Sequence, residues 1–284
     1  MAKRELLKHE EVQRSIIKRY RKNIWKNFVA AIKEYELISA NDKIAVCISG
    51  GKDSVLMACC LRQLQIHSEV PFELVYLVMD PGYNAENRKL IEYNTELLNL
   101  PVTIFESDIF EVTDRVGGSP CYLCARMRRG CLYSKARELG CNKIALGHHF
   151  NDVIETVLMS MMYSSEIKTM LPKLHSTNFE GMELIRPLYK VKERDVISWA
   201  NYNDLHFLRC ACKFTADSAE DEKLSKRQEM KQLVKTLRQT NPDADNNIFR
   251  SLHNVNMATI PGWRDSDSGE KHSFIENYEN LKEE

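Results

Sequence analysis

The N-terminal part of the chain carries an apolar residue at every fourth position. These positions are Val12, Ile16, Tyr20, Ile24, Phe28 and Ile32. The spacing predicts one long amphipathic helix from Glu10 to Ile38 with an apolar stripe, which could support a homodimer. Basic residues, among them Lys18 and Lys22, fall on a different face. That face fits a solvated helix surface and a polyanion-binding surface equally well.

From Asn41 onward, short apolar runs alternate with longer amphipathic segments. The runs suited to buried strands are Lys43 to Ile48, Glu73 to Met79, Val102 to Phe105, Lys143 to Leu146 and Leu184 to Leu188. Helical patterns follow the first two runs, at about Ser54 to Gln65 and Glu86 to Leu98. This alternation predicts an α/β fold with a doubly wound, mostly parallel, five-stranded sheet. Such sheets bind ligands at the carboxyl ends of their strands.

These patterns divide the chain into three parts. Residues 1–40 are expected to form an N-terminal helical extension, 41–210 the α/β domain, and 211–284 a C-terminal helical region with a tail. Within the last part, Thr215 to Gln239 predicts a highly charged helix. The polar tail beyond Trp263 is expected to be loose.

Composition is that of an ordinary soluble globular protein, with 43% hydrophobic and 28% charged residues. Forty basic and forty acidic residues give a formal net charge of zero. A nucleic-acid partner would therefore have to be held by local basic patches. No apolar run approaches the roughly 20 residues that cross a bilayer, and the first residues lack a signal-peptide pattern. We expect a cytoplasmic protein with no membrane partner.

The chain contains nine cysteines. An odd number, in a chain without an export signal, argues against a disulfide framework and favours metal ligation, catalysis or buried thiols. Five of them are expected to be buried or incidental thiols, namely Cys47, Cys59, Cys60, Cys131 and Cys141.

A glycine-containing loop, Ser49-Gly50-Gly51-Lys52-Asp53-Ser54, lies between a predicted strand and a predicted helix. Its glycines allow the backbone to approach a phosphate, and the helix N-terminus supplies amides and a positive dipole end. Lys52 adds a charge, and Asp53 can hold Mg²⁺ or orient Lys52. The spacing differs from that of the P-loop NTPases.

The segment Pro120-Cys121-Tyr122-Leu123-Cys124 contains a Cys-x-x-Cys pair. The spacing alone fits a redox pair, half of a zinc site or part of an iron–sulfur site, and does not separate them. Arg126, Arg128 and Arg129 follow the pair, and they can bind phosphates or balance charge locally.

A second polar segment, Gly147 to Asp152, follows the fourth predicted strand. Asp152 and Glu155 would then open a helix, where a carboxylate can carry Mg²⁺ or act as a general base. Helix N-capping by Asn151 or Asp152 is the alternative explanation of the same residues.

The loop at Ser49 to Ser54 matches the Ser-Gly-Gly-x-Asp-Ser signature and resembles the PP-loop, or N-type ATP pyrophosphatase, superfamily. Those enzymes split ATP between the α- and β-phosphates and transfer AMP to a carbonyl oxygen. The resemblance implies an ATP site formed by Ser49, Gly50, Gly51, Lys52, Asp53 and Ser54, together with Met79 and Gly147.

Over roughly residues 10 to 262, the chain resembles the TtcA/TtuA family of PP-loop tRNA thiolation enzymes, most closely its tRNA 2-thiocytidine synthetase branch. The resemblance rests on the loop, the Cys-x-x-Cys pair, Gly147 to Thr156, Met170 to Leu174, Ile185 to Leu188 and Lys192 to Asp195. The TtuA branch is less similar because neither end of this chain contains its cysteine- or histidine-rich zinc knuckles.

This resemblance implies ATP, Mg²⁺ and a [4Fe–4S] cluster as cofactors, and tRNA and a sulfur donor as partners of a homodimer. The implied cluster ligands are Cys121, Cys124 and Cys212, with Cys210 as the alternative, because Cys210-Ala211-Cys212 departs from the family's Cys-x-x-Cys-Gly-Ser pattern. The implied catalytic residues are Lys52, Asp152 and Cys212. Arg126, Arg128, Arg129, Lys18 and Lys22 would hold the tRNA backbone.

The resulting hypothesis is an enzyme that adenylates the C2 carbonyl of a tRNA base, expected to be cytidine, and inserts sulfur there. Three alternatives remain open from the sequence. They are thiolation of a tRNA uridine, amidation or ligation of a small substrate by a PP-loop enzyme, and a non-enzymatic nucleotide-binding redox sensor.

Overall fold

The computed structural model describes residues 5–107, 109, 120–208, 226–265 and 268–280. It divides into two compact units, Met1–Leu233 and Val234–Glu284. The first unit contains both the N-terminal helices and the α/β sheet.

A six-stranded sheet forms the centre of the first unit, in the order β3-β2-β1-β4-β6-β5. Its strands are β1 (Lys43–Ile48), β2 (Glu73–Asp80), β3 (Val102–Glu106), β4 (Lys143–Ala145), β5 (Lys173–His175) and β6 (Glu183–Ile185). All neighbours are parallel except β5, which pairs antiparallel with β6. The mostly parallel α/β fold is confirmed, and the count of five strands is wrong. The missed strand β5 has only three residues, two of them polar, so it carries no apolar run.

The helices of this unit connect the strands and cover the sheet. They are α1 (Lys8–Ile17), α2 (Lys26–Glu34), α3 (Lys52–His67), α4 (Ala85–Leu97), α5 (Pro120–Glu138), α6 (Phe150–Ser164) and α7 (Glu193–Tyr202). The next helix, α8 (Lys226–Thr240), includes part of the predicted charged helix. The remainder of that prediction, residues 215–225, lies outside the described residues.

The predicted long N-terminal helix is interrupted. Between α1 and α2, residues 18–20 form a turn and Arg21–Trp25 form a π-helical segment. The Tyr20 and Trp25 amides donate to carbonyl oxygens five residues earlier, over 2.9 and 3.2 Å. All six residues of the apolar stripe are nevertheless buried. The stripe is therefore correct, and the prediction of one continuous α-helix is wrong.

The core lies on both faces of the sheet. Alternate residues of β1 enter opposite clusters, with Val46 and Ile48 on one side and Ala45 and Cys47 on the other. This alternation follows from the two-residue period of a strand. The larger cluster also includes Trp199 of α7, whose side chain is fully buried. Both faces are thus covered, as in a doubly wound sheet.

A buried ion cluster closes the amino-terminal edge of β4. Lys143 is 3% exposed, and its Nζ lies 2.7 Å from Asp42 Oδ2 and 3.0 Å from Glu183 Oε2. The same ammonium group donates to the Leu37 carbonyl oxygen over 3.1 Å. Because Lys143 begins β4, this cluster lies at the edge of the sheet opposite to the strands' carboxyl ends.

The second unit contains the end of α8, helix α9 (Ala244–Ser251), and a hairpin of β7 (Gly262–Arg264) and β8 (Lys271–Ser273). Short 3₁₀ segments flank the hairpin at Met257–Thr259 and Phe274–Asn280. In the tail beyond Trp263, which the sequence predicts to be loose, the Trp263 ring stacks on His272 with centroids 5.0 Å apart. Among the described residues, no helix combines the length and apolarity needed to cross a membrane.

Candidate active site

The glycine loop leaves the carboxyl end of β1 and leads directly into α3. Gly50 adopts a φ of +81°, a conformation that favours glycine. A Cβ atom there would lie 2.7 Å from Ile91 and 2.8 Å from Leu208. The loop is therefore enclosed on that side by packed side chains, and only glycine fits at this position.

Hydrogen bonds within the loop hold its shape. The Ser54 hydroxyl accepts from the Ser49 amide over 3.1 Å and donates to the Gly51 carbonyl over 2.9 Å. Gly51 precedes the first residue of α3, where helix amides lack intrahelical acceptors. The loop thus presents a helix N-terminus of the kind that binds phosphate.

Gly147 brings the end of β4 against this helix N-terminus. A Cβ atom on Gly147 would lie 2.9 Å from the Ser54 amide nitrogen and 3.1 Å from the Asp53 carbonyl carbon. The close approach explains why glycine is required here. It also brings His149 beside the loop.

Lys52 is held between two carboxylates. Its Nζ lies 3.1 Å from Asp53 Oδ2 and 3.4 Å from Glu193 Oε1. Burial lowers the pKa of Lys52, but Asp53 and Glu193 outweigh burial and raise the pKa above its usual value. Lys52 therefore keeps its positive charge at the loop.

His149 connects the loop to Asp152. It is the N-cap of α6, where its Nδ1 accepts from the Asp152 amide over 3.3 Å and its own amide donates to Asp152 Oδ2 over 2.9 Å. Its Nε2 lies 3.7 Å from Asp53 Oδ1. The predicted N-capping by Asn151 or Asp152 is therefore wrong in its choice of residue, because His149 is the N-cap and Asp152 completes the capping box from the third helical position. Asp152 lies one side chain from the loop.

Asp152 remains anionic in this setting. Burial raises the pKa of Asp152, but His149, the His149 amide and Arg227 together lower the pKa below its usual value. Arg227 Nη1 lies 2.8 Å from Asp152 Oδ1. An ionised carboxylate can orient a cation, and it is a weak proton acceptor.

Glu193 is a site residue that sequence reasoning missed. It begins α7, and its amide donates to Asn151 Oδ1 over 3.0 Å, which ties α7 to the start of α6. Its carboxylate contacts Lys52 and also Lys231, whose Nζ lies 3.1 Å from Oε2. Burial opposes ionisation, but His149, Lys231 and Lys52 lower the pKa of Glu193. The charged helix start at 192–195 was the available signal.

Two carboxylate oxygens of the site are buried without a hydrogen-bond partner, Asp53 Oδ1 and Glu155 Oε2. Within the described ranges, no group of three or more acidic, histidine or cysteine side chains is arranged to hold a metal alone. Mg²⁺ in nucleotide sites commonly uses one or two carboxylates together with the phosphates. The orphaned oxygen of Asp53, at the phosphate loop, fits that type of coordination.

Met79, predicted to contact ATP, is a buried residue near the end of β2. The next residue, Asp80, accepts from the amides of Gly82 and Tyr83 over 2.9 and 2.7 Å. This turn directs the Tyr83 hydroxyl toward the Ser49 carbonyl oxygen, at 3.5 Å. Arg128 donates to the same hydroxyl over 3.2 Å, so it faces the loop.

Arg126 and Arg129 lie elsewhere, along a cleft of about 670 Å³. The cleft runs between α5 and the turn that joins β5 to β6, and its lining includes Tyr133, Ser176 and Asn178. The predicted basic residues of α5 therefore divide between two surfaces. Lys18 and Lys22 are exposed on the interrupted N-terminal helix.

The cysteine predictions fall mostly outside the described structure. Cys121 and Cys124 belong to the first turn of α5, where side chains are outside the described part. Cys210 and Cys212 lie outside the described residues altogether. The five cysteines expected to be simple thiols are free, and all except half-buried Cys131 are buried.

Residues 17–249 match the family model of the PP-loop domain. A tRNA-cytidine(32) 2-sulfurtransferase of Neisseria meningitidis serogroup C is 42% identical over 186 residues, which cover 63% of this chain and 57% of the relative. The chain thus spans somewhat more than half the length of that relative. A tRNA-cytidine(32) 2-sulfurtransferase of Citrifermentans bemidjiense is 36% identical over 231 residues, covering 79% of this chain and 87% of the relative.

The fold is similar to that of the U34-tRNA thiolase NcsA from Methanococcus maripaludis, solved with its [4Fe–4S] cluster. The TM-score is 0.62 at 22% identity, with 87% of this chain and 78% of that chain covered. The chain belongs to the PP-loop family and, within it, to the family of the tRNA-cytidine(32) 2-sulfurtransferases.

Proposed function

We propose that this protein is an ATP-dependent tRNA sulfurtransferase that converts a cytidine, at position 32 as in its relatives' names, into 2-thiocytidine. The observation that carries this proposal is the meeting of three helix N-termini, those of α3, α6 and α7, around Lys52 and its carboxylate partners. Helix N-termini and a lysine suit the phosphates of ATP.

ATP binds through the loop from Ser49 to Ser54. The amides at the start of α3 and the Lys52 ammonium hold the phosphates. Gly147 contributes close packing, and Met79, near the end of the adjacent strand β2, would contact the nucleoside. Asp53, with Asp152 held nearby through His149, would hold Mg²⁺, which would neutralise part of the phosphate charge.

In the first step, the C2 oxygen of the target base attacks the α-phosphorus of ATP. The bond between that phosphorus and the bridging oxygen to the β-phosphate breaks, and pyrophosphate leaves with the electron pair. The leaving charge is stabilised by Lys52 and the loop amides. The C2 oxygen is thereby converted from a poor leaving group into part of AMP.

In the second step, a sulfur nucleophile attacks C2, the bond between C2 and the oxygen breaks, and AMP leaves with the electron pair. A [4Fe–4S] cluster held by three cysteines would supply this sulfur from an external sulfur donor. Asp152 and Lys52 act on the phosphates and their metal, since the low pKa of Asp152 suits charge stabilisation.

The proposed cluster ligands are Cys121, Cys124 and Cys212, with Cys210 as the alternative to Cys212. The similar thiolase NcsA carries a [4Fe–4S] cluster, which supports iron–sulfur chemistry over zinc or a redox pair for the Cys-x-x-Cys of this chain. A three-cysteine site leaves one iron open to a non-protein ligand.

The tRNA backbone would lie along α5. Arg126 and Arg129 line a cleft whose polar walls suit ribose and phosphate groups, and Arg128 stands close to the loop. Lys18 and Lys22 are exposed on the N-terminal helices, which cover the opposite face of the sheet from α5, and they would contact the tRNA separately. The homodimer and the cytoplasmic location expected from the sequence stay part of this proposal.

Mass spectrometry of tRNA nucleosides from a strain lacking the gene tests this function. We expect 2-thiocytidine to disappear and the wild-type gene to restore it. Lys52→Ala and Cys124→Ser should fail to restore it, whereas Cys131→Ser, a change of a half-buried thiol on the same helix, should succeed. An unchanged level of 2-thiocytidine would contradict the proposal. Loss of a 2-thiouridine instead would show that the substrate is a uridine.

A further inference from the structure

Helix α8 brings two further basic residues to the carboxylates around the phosphate loop. Arg227 and Lys231 are four residues apart, so they lie on the same face of the helix. Met230, which is 1% exposed, anchors this part of α8. The Lys226 ammonium stands 4.5 Å over the Tyr163 ring, and Tyr163 also donates to Glu229. The first turns of α8 are thus fixed against α6.

Both basic residues contact carboxylates that belong to the loop network. Arg227 Nη1 lies 2.8 Å from Asp152 Oδ1, and Lys231 Nζ lies 3.1 Å from Glu193 Oε2. Glu193 is the same carboxylate that holds Lys52. Arg227, Lys231 and Lys52 therefore belong to one ion cluster. Helix α8 is part of the site although it is distant from the loop in sequence.

The charges of this cluster indicate that Arg227 and Lys231 are available to bind an anion. Lys52 supplies one positive charge and already contacts Asp53 and Glu193, whereas a triphosphate carries several negative charges and needs further cations. Arginine has five N–H donors and lysine three. Lys231 pairs with Glu193, and Arg227 pairs closely with Asp152 and at 3.9 Å with Glu155 Oε2, so both residues keep donors to spare. The side chains of Arg227 and Lys231 are 44% and 35% exposed, so both can reach a ligand.

We propose that Arg227 and Lys231 bind the β- and γ-phosphates of ATP, and hence the pyrophosphate that leaves. This inference rests on the proposed use of ATP. It assigns the two residues a part in stabilising the leaving group while Lys52 and the loop amides hold the α- and β-phosphates. In the alternative, purely structural role, the ion pairs of Arg227 and Lys231 would only hold α8 against the residues around the loop.

Isothermal titration of the full-length protein with inorganic pyrophosphate and with AMP separates these roles. Arg227→Gln and Lys231→Gln should each weaken pyrophosphate binding about tenfold or more, as expected for loss of a charge-assisted hydrogen bond, and leave AMP binding within about twofold. Lys235→Gln, the same change one turn further along α8 at an exposed position, should alter neither. Arg227→Lys, which keeps the charge, should recover part of the pyrophosphate affinity.

Equal weakening of AMP and pyrophosphate binding in the two variants would indicate a structural role and overturn the inference. Unchanged pyrophosphate binding would overturn it as well. Failure of the wild-type protein to bind either AMP or pyrophosphate would instead contradict the proposed function, and the inference with it.

Discussion

At the scale of single residues, two glycines determine where the backbone of the site can run. Gly50 is required by its positive φ and by its contact with Ile91 and Leu208. Gly147 is required because the backbone at the start of α3 leaves no space for a Cβ atom. The first requirement could be anticipated from the loop motif. The second depends on the start of α3, which packs against the end of β4, and becomes visible only in the fold.

Gly147→Ala should push the end of β4 away from α3. Because the obstructing atoms are backbone, they cannot rotate aside, and we expect a loss of about 1–3 kcal/mol in the free energy of unfolding. ATP affinity should fall at least tenfold, measured by titration. Gly130→Ala is the matched control, since a Cβ atom there meets nothing within 4 Å and alanine favours the helix. Equal behaviour of the two variants would contradict the packing argument.

Glu155 gives the site a pH dependence. Burial raises the pKa of Glu155 to about 7 from 4.5. The folded state therefore favours the protonated carboxyl, and stability is lost as the pH rises from 4.5 through 7. Glu155→Gln removes this penalty, so we expect the variant to be more stable than wild type by about 2–3 kcal/mol at pH 8 and by little near pH 5.

Urea unfolding without nucleotide or Mg²⁺, at both pH values, measures this difference. Glu138→Gln, a change of an exposed glutamate on α5, should show no such pH-dependent gain. A Glu155→Gln variant that is less stable than wild type at pH 8 would mean that the buried carboxylate has a stabilising partner.

At the scale of elements, the N-terminal region illustrates what periodicity can and cannot predict. An apolar residue at every fourth position advances about 40° past each full turn of an α-helix, so a long stripe drifts around its surface. The wider π-helical segment at Arg21–Trp25 absorbs part of that drift and returns Ile24 and Phe28 to the buried face. The pattern predicted which residues are buried. It did not predict the π-helical interruption, which is needed to keep all of them on the buried face.

The buried ion cluster at the amino-terminal edge of β4 should be essential for folding and irrelevant to chemistry. Lys143→Met leaves the carboxylates of Asp42 and Glu183 without their buried cation, which should cost about 3–5 kcal/mol in the free energy of unfolding. Lys43→Met is the matched control, because its pair with Glu73 is 3.6 Å long and partly exposed and should contribute less than about 1 kcal/mol. Similar urea midpoints for the two variants would refute this ranking.

At the scale of the whole molecule, the loop from Ser49 to Ser54 could be located from sequence because its residues are contiguous. The same holds for Gly147 and Asp152, which follow a recognisable strand. Glu193, Arg227 and Lys231 could not be placed, since surface helices commonly begin with charged residues and only the fold brings these three to the loop. The sheet order that unites them depends on long-range pairing, which a local pattern does not encode.

The central claim is that the base oxygen is activated by adenylation at this loop, and tracing that oxygen tests the claim most directly. The full-length protein, prepared anaerobically, would be supplied with ATP, sulfide and a tRNA whose target cytidine carries a heavy-oxygen label at C2. We predict that the AMP released is heavier by the mass of the label, with one labelled AMP for each 2-thiocytidine formed. Thiolated tRNA accompanied by unlabelled AMP would contradict the account.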